Sequence, residues 1–159
     1  MEIKEFRKIT KDDLYDNTYN DGYSWSRVYE YPLVIKAIEK YYRNGFLIHN
    51  SSWGYKGIHI KFKDMLDKLF KRVFHSDILE SNLKNTFIYD ITKAPPDKEI
   101  GKYDIVISVS TLEEVEFDHL QVFRNLFDQV RKGGVLIATF DLNAGNLGVF
   151  SSLFSKKKR

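Results

Sequence analysis

The chain contains no cysteine. A disulfide framework, a thiolate zinc site and a nucleophilic thiol are therefore all excluded. Proline (3) and glycine (9) are sparse among 159 residues, and no internal repeat or low-complexity stretch appears. No apolar run approaches the ~18 residues that a membrane span takes. The first eight residues, Met-Glu-Ile-Lys-Glu-Phe-Arg-Lys, alternate in charge and lack the apolar stretch of a secretory signal. A soluble, cytoplasmic protein is expected. Neither sign of charge dominates, with 25 basic against 22 acidic residues. The net +3 is a tail effect, because Lys156, Lys157, Lys158 and Arg159 contribute +4 and the body is near neutral. That leaves no strong nucleic-acid signal.

Hydrophobic residues make up 43% and charged residues 30%, enough for one buried core under a solvated surface. Aromatic side chains crowd the first third: Tyr15, Tyr19, Tyr23, Trp25, Tyr29, Tyr31, Tyr41 and Tyr42. Most are expected to pack the N-terminal segment onto the core. The expected organisation is a single domain over 1–159. Residues 1–44 form a helical and aromatic cap, 45–142 an α/β core and 143–159 a tail. In that tail Val149 to Phe154, followed by basic residues, reads as a frayed terminus or a segment docking on an anionic surface.

Thr10 with Asp13 predicts a helix start of the capping-box kind. Asn20-Asp21-Gly22 predicts a turn. Pro32 predicts the first turn of a second helix whose apolar face is Val34, Ile35, Ala37, Ile38 and Tyr41, ended by Asn44-Gly45. Strand-like runs follow at 46–49, 72–75, 86–89, 103–109 and 135–140. The last two are continuous and β-branched, as strands buried on both faces of a parallel sheet read. Apolar residues spaced by three and four predict helices between the first and second runs (Ile58, Phe62, Met65, Leu66, Leu69, Phe70) and between the fourth and fifth (Leu120, Phe123, Leu126, Phe127, Val130). Gly133-Gly134 is expected to stop the latter helix. Pro95-Pro96 marks a loop with at most a short helix. Alternating strands and helices predict an α/β, three-layer, mainly parallel sheet. Ligands of such sheets bind beyond the carboxyl ends of the strands, at the switch point.

On Tyr103-Asp104-Ile105-Val106-Ile107-Ser108 with Leu112-Glu113-Glu114-Val115, on Lys132-Gly133-Gly134-Val135-Leu136-Ile137, and on acidic residues after successive strands, the chain resembles the class I S-adenosylmethionine (SAM)-dependent methyltransferases. The resemblance covers about Arg27 to Asn143. It implies a Rossmann-like fold and SAM as cofactor. Its glycine motif is degenerate: in Ile48-His49-Asn50-Ser51-Ser52-Trp53-Gly54, only Gly54 matches a family glycine and Ile48 stands where the family has an acid. The resemblance makes Asn50, Ser51, Ser52 and Gly54 the cofactor loop and sets Asp77 on the ribose hydroxyls. It sets Asp90 on the adenine amino group and Thr111 and Leu112 beside the methionine part. A carboxylate suits a vicinal diol because it accepts two hydrogen bonds. Each carboxylate has a structural alternative as a cap or turn residue.

Methyl transfer to oxygen needs alignment and a base. Glu113, Glu114 and His119 are the catalytic candidates, with charges at a helix start as the alternative for the glutamates. The implied activity is O-methylation of a sugar, glycan or small-metabolite hydroxyl. The alternative is an inactive methyltransferase-like binding or scaffold protein. No metal site is expected: His49, His59 and His75 have no zinc spacing, and Asp141 with Asn143 offers too few ligands. Trp25, Arg27 and Tyr31 are lid candidates. The residues after Asn143 are too few for the family's last helix and hairpin. The sheet is therefore expected to lack part of its C-terminal strands or to be completed by a partner copy, in a homodimer.

Overall fold

A computed structural model describes residues 2–22, 26–52, 57–116, 118–143 and 148–156, the backbone alone at 2–4, 141–143 and 148–156. In chain order the elements are β1 (Glu2–Ile9), α1 (Arg27–Tyr41), β2 (Ile48–Asn50), α2 (Ile58–Leu69), β3 (Val73–Asp77), β4 (Thr86–Ile88), β5 (Tyr103–Val109), α3 (His119–Asp128), β6 (Val130–Asn143) and β7 (Gly148–Lys156). Short 3-10 turns cover Asn17–Tyr19, Asp97–Glu99 and Leu112–Glu114.

The apolar run of β5 is buried at all seven positions, as its sequence predicts for a central strand. It lies between β2 and β6, parallel to both. β2 pairs in parallel with β3, and β3 with β4. The full order is β1-β7-β6-β5-β2-β3-β4. The chain runs outward from β2 through β3 to β4, then returns to the other side of β2 with β5. The switch point is therefore at the carboxyl ends of β2 and β5.

Helices cover both faces. Val28, Tyr31, Val34, Ala37 and Ile38 of α1, with Ile58, Phe62 and Leu66 of α2, pack on Ile48, Val73, Ile105, Ile107, Val109, Val135 and Ile137. Val122, Phe123, Leu126 and Phe127 of α3 pack on Tyr103, Val106, Leu136 and Ala138. Each fully buried aliphatic or Phe side chain stabilises the fold by ~1.5–3 kcal/mol, so these two layers hold the sheet between them. This is the α/β, three-layer, mainly parallel architecture predicted.

Four local expectations need correction. Thr10 and Asp13 make one of the two capping-box bonds, Thr10 N–H to Asp13 Oδ2 at 2.7 Å; the Asp13 N–H goes instead to the backbone Thr10 O at 3.1 Å, a turn bond. Yet a turn follows, because residues 10–15 offer no buried stripe and Asp13 is held back to β1 by Arg7 at 2.6 Å. Helix α1 starts at Arg27, so Pro32 lies inside it. Proline cannot donate to Val28 O, and the Asp16 N–H takes that place at 2.8 Å. Gly133 and Gly134 do not stop α3, which ends at Asp128; they lie within β6. A Cβ on Gly134 would stand 2.6 Å from Asp104 O, so glycine is there for close approach to β5.

The fourth concerns the two ends of the chain. Residues 148–156 are strand β7, antiparallel to β6, and β1 pairs antiparallel with β7. The C-terminal part is short, one strand after β6, and the N-terminal strand brings the sheet to seven. The place foreseen for a partner copy is thus filled by the chain's own β7 and β1.

Candidate functional site

A cleft of about 730 Å³ opens beyond the carboxyl ends of β2 to β5. Ser51 and Ser110 stand in it at the switch point, Ser76 and Asp77 at the end of β3, and Asp90 beyond β4. Thr111, Glu114, Val115 and Glu116, from the segment after β5, form the opposite wall.

The floor is built by side chains that tie strand ends together. Ser52 Oγ accepts from Val109 N–H at 2.8 Å, and Ser51 N–H donates to Ile107 O at 2.8 Å. Asn50 Oδ1 accepts from Ser52 N–H at 3.2 Å, while Asn50 Nδ2 donates to His75 Nδ1 at 3.2 Å. His75 Nε2 then donates to Asp67 Oδ1 at 3.0 Å. Burial lowers the His75 pKa against the opposing pull of Asp67, which agrees with a neutral ring that donates at one nitrogen and accepts at the other. His49 is fully buried, with its pKa pushed down to about 3 by burial and by the adjacent His75. It is hydrogen-bonded through Nε2 to Ser76 Oγ at 2.8 Å.

Asp77 is almost wholly buried, at 8% exposure. Its Oδ1 accepts from Leu79 N–H at 3.0 Å. Its Oδ2 has no hydrogen-bond partner among the described residues. A buried carboxylate oxygen left in that state is costly, and a ligand with donors would relieve it. Asp90 is different. Its Oδ1 accepts from Thr92 Oγ1 at 2.6 Å and Thr92 N–H at 3.0 Å, and Oδ2 faces Lys93 Nζ at 3.3 Å. The Thr92 hydroxyl, against a small cost of burial, holds its pKa below the ordinary carboxylate value. Ile78, Leu79 and Ile88 expose apolar surface at this end of the cleft.

The structure thus brings Ser51, Asp77, Asp90, Thr111 and Glu114 to one cleft. It places Asn50 and Ser52 beneath it as buried tethers, and Leu112 in the core against α3. Glu113 is half-buried near Arg27. His119 is exposed at the start of α3, outside the cleft lining, with Nε2 3.1 Å from Val115 O. Gly54 and Trp25 lie outside the described residues. Tyr31 is not a lid: it is buried in the core, its ring stacked on Phe62 at 4.0 Å. Arg27 is ion-paired with Glu30. Burial works against its charge, yet Glu30, and more weakly Tyr31 and Glu113, hold the pKa above the usual value.

Two features were missed in the sequence. Ser110 has φ +42, a left-handed conformation uncommon for a residue with a side chain. Glu30 is fully buried on α1 and accepts from Ser110 Oγ at 2.8 Å. The available signal was a lone charge on an apolar helical stripe, since Glu30 is one turn from Val34 and two from Ala37 and Ile38.

No protein-family model matches the chain, and no curated protein does. Solved structures do match. One is a SAM-dependent methyltransferase from Aquifex aeolicus, with TM-score 0.57 and 14% identity, covering 84% of this chain and 93% of that one. The fold is that of the class I SAM-dependent methyltransferases. The CMeT domain of the citrinin polyketide synthase matches at TM-score 0.52 and 15% identity over 66% of this chain. A SAM-dependent methyltransferase from Clostridium acetobutylicum matches at 0.53 and 15% over 70%. The present chain spans only 32% and 49% of those two chains. At such identities the likeness speaks for the methyltransferase fold, and function has to be argued from the cleft. Among the described residues no helix is long and apolar enough to cross a membrane, and no cluster of three or more His, Asp or Glu could hold a metal.

Proposed function

We propose that the chain is a cytoplasmic SAM-dependent methyltransferase, acting on a hydroxyl of a sugar, glycan or small metabolite. The observation that carries the reading is Asp77 Oδ2, a buried carboxylate oxygen without a protein partner among the described residues, on a residue that lines a cleft at the switch point. That oxygen suits a vicinal diol, so Asp77 holds the ribose hydroxyls. Ile78, Leu79 and Ile88 offer the flat apolar contact a purine needs. Asp90 accepts from the adenine amino group, for which it must share oxygens already engaged by Thr92 and Lys93. The Ser51 and Thr111 side chains stand nearer the switch point, beside the methionine part. SAM supplies the electrophilic methyl group when bound.

The protein's own part is to align the acceptor and exclude water. Of Glu113, Glu114 and His119, Glu114 is the one in the cleft wall, so it is assigned as the base that takes the acceptor's proton. A second reading, a binding or scaffold protein without catalysis, is favoured by one observation: Glu114 is exposed to solvent, where water competes with an acceptor for its carboxylate.

Titration calorimetry with SAM and with its demethylated product S-adenosylhomocysteine (SAH) tests the cofactor. Labelled-methyl transfer to a panel of hydroxylated acceptors tests the reaction. Binding with transfer supports the enzyme. Binding without transfer to any acceptor supports the scaffold. Absence of heat at millimolar ligand would reject the enzyme and favour the scaffold.

A further inference from the structure

We infer that Glu30 is a positioning residue for the cleft, acting at a distance from the ligand by clamping Ser110 in its left-handed conformation. The inference rests on the ligand reading of the cleft given above.

Glu30 is 0% exposed and lies on the face of α1 that packs on the sheet. A carboxylate there is costly unless it is bonded, and its neighbours one and two turns on, Val34, Ala37 and Ile38, are all apolar. Packing alone does not call for an acid at this position. Among the described residues the Glu30 carboxylate makes two bonds, an ion pair with Arg27 and the 2.8 Å bond accepted from Ser110 Oγ. The second spans 80 positions of sequence and joins α1 to the residue directly after β5.

Ser110 is also where the backbone departs from its easy conformations, with φ +42. Such a residue persists only where its surroundings over-determine it. The surroundings here are its N–H, bonded to Thr139 O at 2.9 Å, and its hydroxyl, bonded to Glu30. The first bond sets the end of the strand. The second sets the side chain, and with it the direction in which the chain leaves β5. That direction places Thr111 and Glu114 in the cleft wall. Without the clamp, Ser110 relaxes to negative φ and the wall segment 111–115 moves with it. Ligand would then have to restore the wall at the expense of its own affinity.

A purely structural acid would lower stability when removed and leave affinity alone; a positioning acid changes affinity, and the change is reversible at Ser110. Glu30→Leu is expected to weaken SAH binding by about tenfold or more, the scale of one released strained residue. Adding Ser110→Gly to that variant is expected to recover most of the affinity, because glycine holds φ +42 without a clamp. The thermal midpoint stays low, since Arg27 still lacks its partner. Adding Ser110→Ala instead keeps the Cβ and recovers nothing. Should Glu30→Leu fail to fold, Arg27→Met/Glu30→Leu removes the unpaired buried charge and carries the same comparison. Hydrogen exchange of the 111–115 amides, read without ligand, is expected to quicken in Glu30→Leu while that of α3 does not. Unchanged SAH affinity in Glu30→Leu, or equal affinities with glycine and alanine at 110, overturns the inference. If the wild-type chain itself binds no SAH, the proposed function fails, and unchanged exchange at 111–115 would sink the clamp independently.

Discussion

Replacing Asp77 by asparagine separates what this residue does for a ligand from what it does for the fold. The change keeps shape and removes charge. The asparagine amide retains an Oδ1 that can accept the Leu79 N–H now bonded at 3.0 Å, so the turn after β3 keeps its cap. The oxygen replaced by NH₂ is Oδ2, which bonds to nothing among the described residues. Hydrogen bonds to a charged group are worth about 1.5–3 kcal/mol. Loss of one from a ribose hydroxyl weakens binding by about 10- to 150-fold. Folding stability moves the other way or not at all, since a desolvated charge of 8% exposure is exchanged for a neutral amide. The thermal midpoint should stay within about 4 °C of the parent, equivalent to about 1 kcal/mol in a chain of this size. Calorimetry with SAH and a thermal melt of the same preparation give both numbers. An affinity within about twofold of the parent, a change of under about 0.5 kcal/mol, would refute the assignment of Asp77. A fall in the melt of about ten degrees, more than about 2 kcal/mol, would show that the carboxylate is structural.

Gly134→Ala should destabilise by about 3 kcal/mol or more, because the new methyl would meet Asp104 O at 2.6 Å and Val130 Cγ1 at 2.9 Å, an overpacking that backbone cannot yield to cheaply; a urea midpoint equal to the parent's would contradict it. Stability should fall on mild acidification. His49, His59 and His75 all have folded-state pKa values lowered chiefly by burial, His49 to about 3. The unfolded chain therefore takes up protons near pH ~6.5 that the folded chain refuses. The contribution is fully present above about pH 6.5 and is lost as pH falls toward the folded values. A urea midpoint at pH ~5 equal to or above that at pH ~7.5 would disprove this. Truncation of residues 1–10 removes β1 and leaves β7 with an unpaired edge. Association at micromolar concentration, seen as a mass shift in light scattering, is expected, and a strictly monomeric truncation would count against the edge argument.

The central strands were legible because their runs are unambiguous. β5 is buried on both faces and its seven residues have no polar alternation to confuse them. Helices α2 and α3 declared themselves by spacings of three and four. β1 did not, because Ile3, Phe6 and Ile9 recur every three residues instead of every two. Phe6 packs on Phe140 on one face while Ile9 joins Leu33 on the other. The end of the chain was misread for a related reason. Val149-Phe150-Ser151-Ser152-Leu153-Phe154 has pairs of like residues, which match neither the period of two of a half-buried strand nor the continuous apolar run of a central one.

In the cleft, residues that follow a strand were readable from order alone, which is why Ser51, Asp77, Asp90 and Thr111 come together. Glu30 was not readable in that way. A lone charge on an apolar stripe marks Glu30 itself, but its relation to Ser110 spans 80 positions, and nothing local names that partner.

The pairing of β1 with β7 has a consequence for how the molecule is made. β1 has one neighbour among the described strands, and that neighbour, β7, is the element farthest from it in sequence. Glu2 meets Lys156, so β1 finds its place only once β7 has been made. During translation it waits unpaired while the parallel core can assemble, an interval in which a nascent chain is open to capture by chaperones or by its own kind.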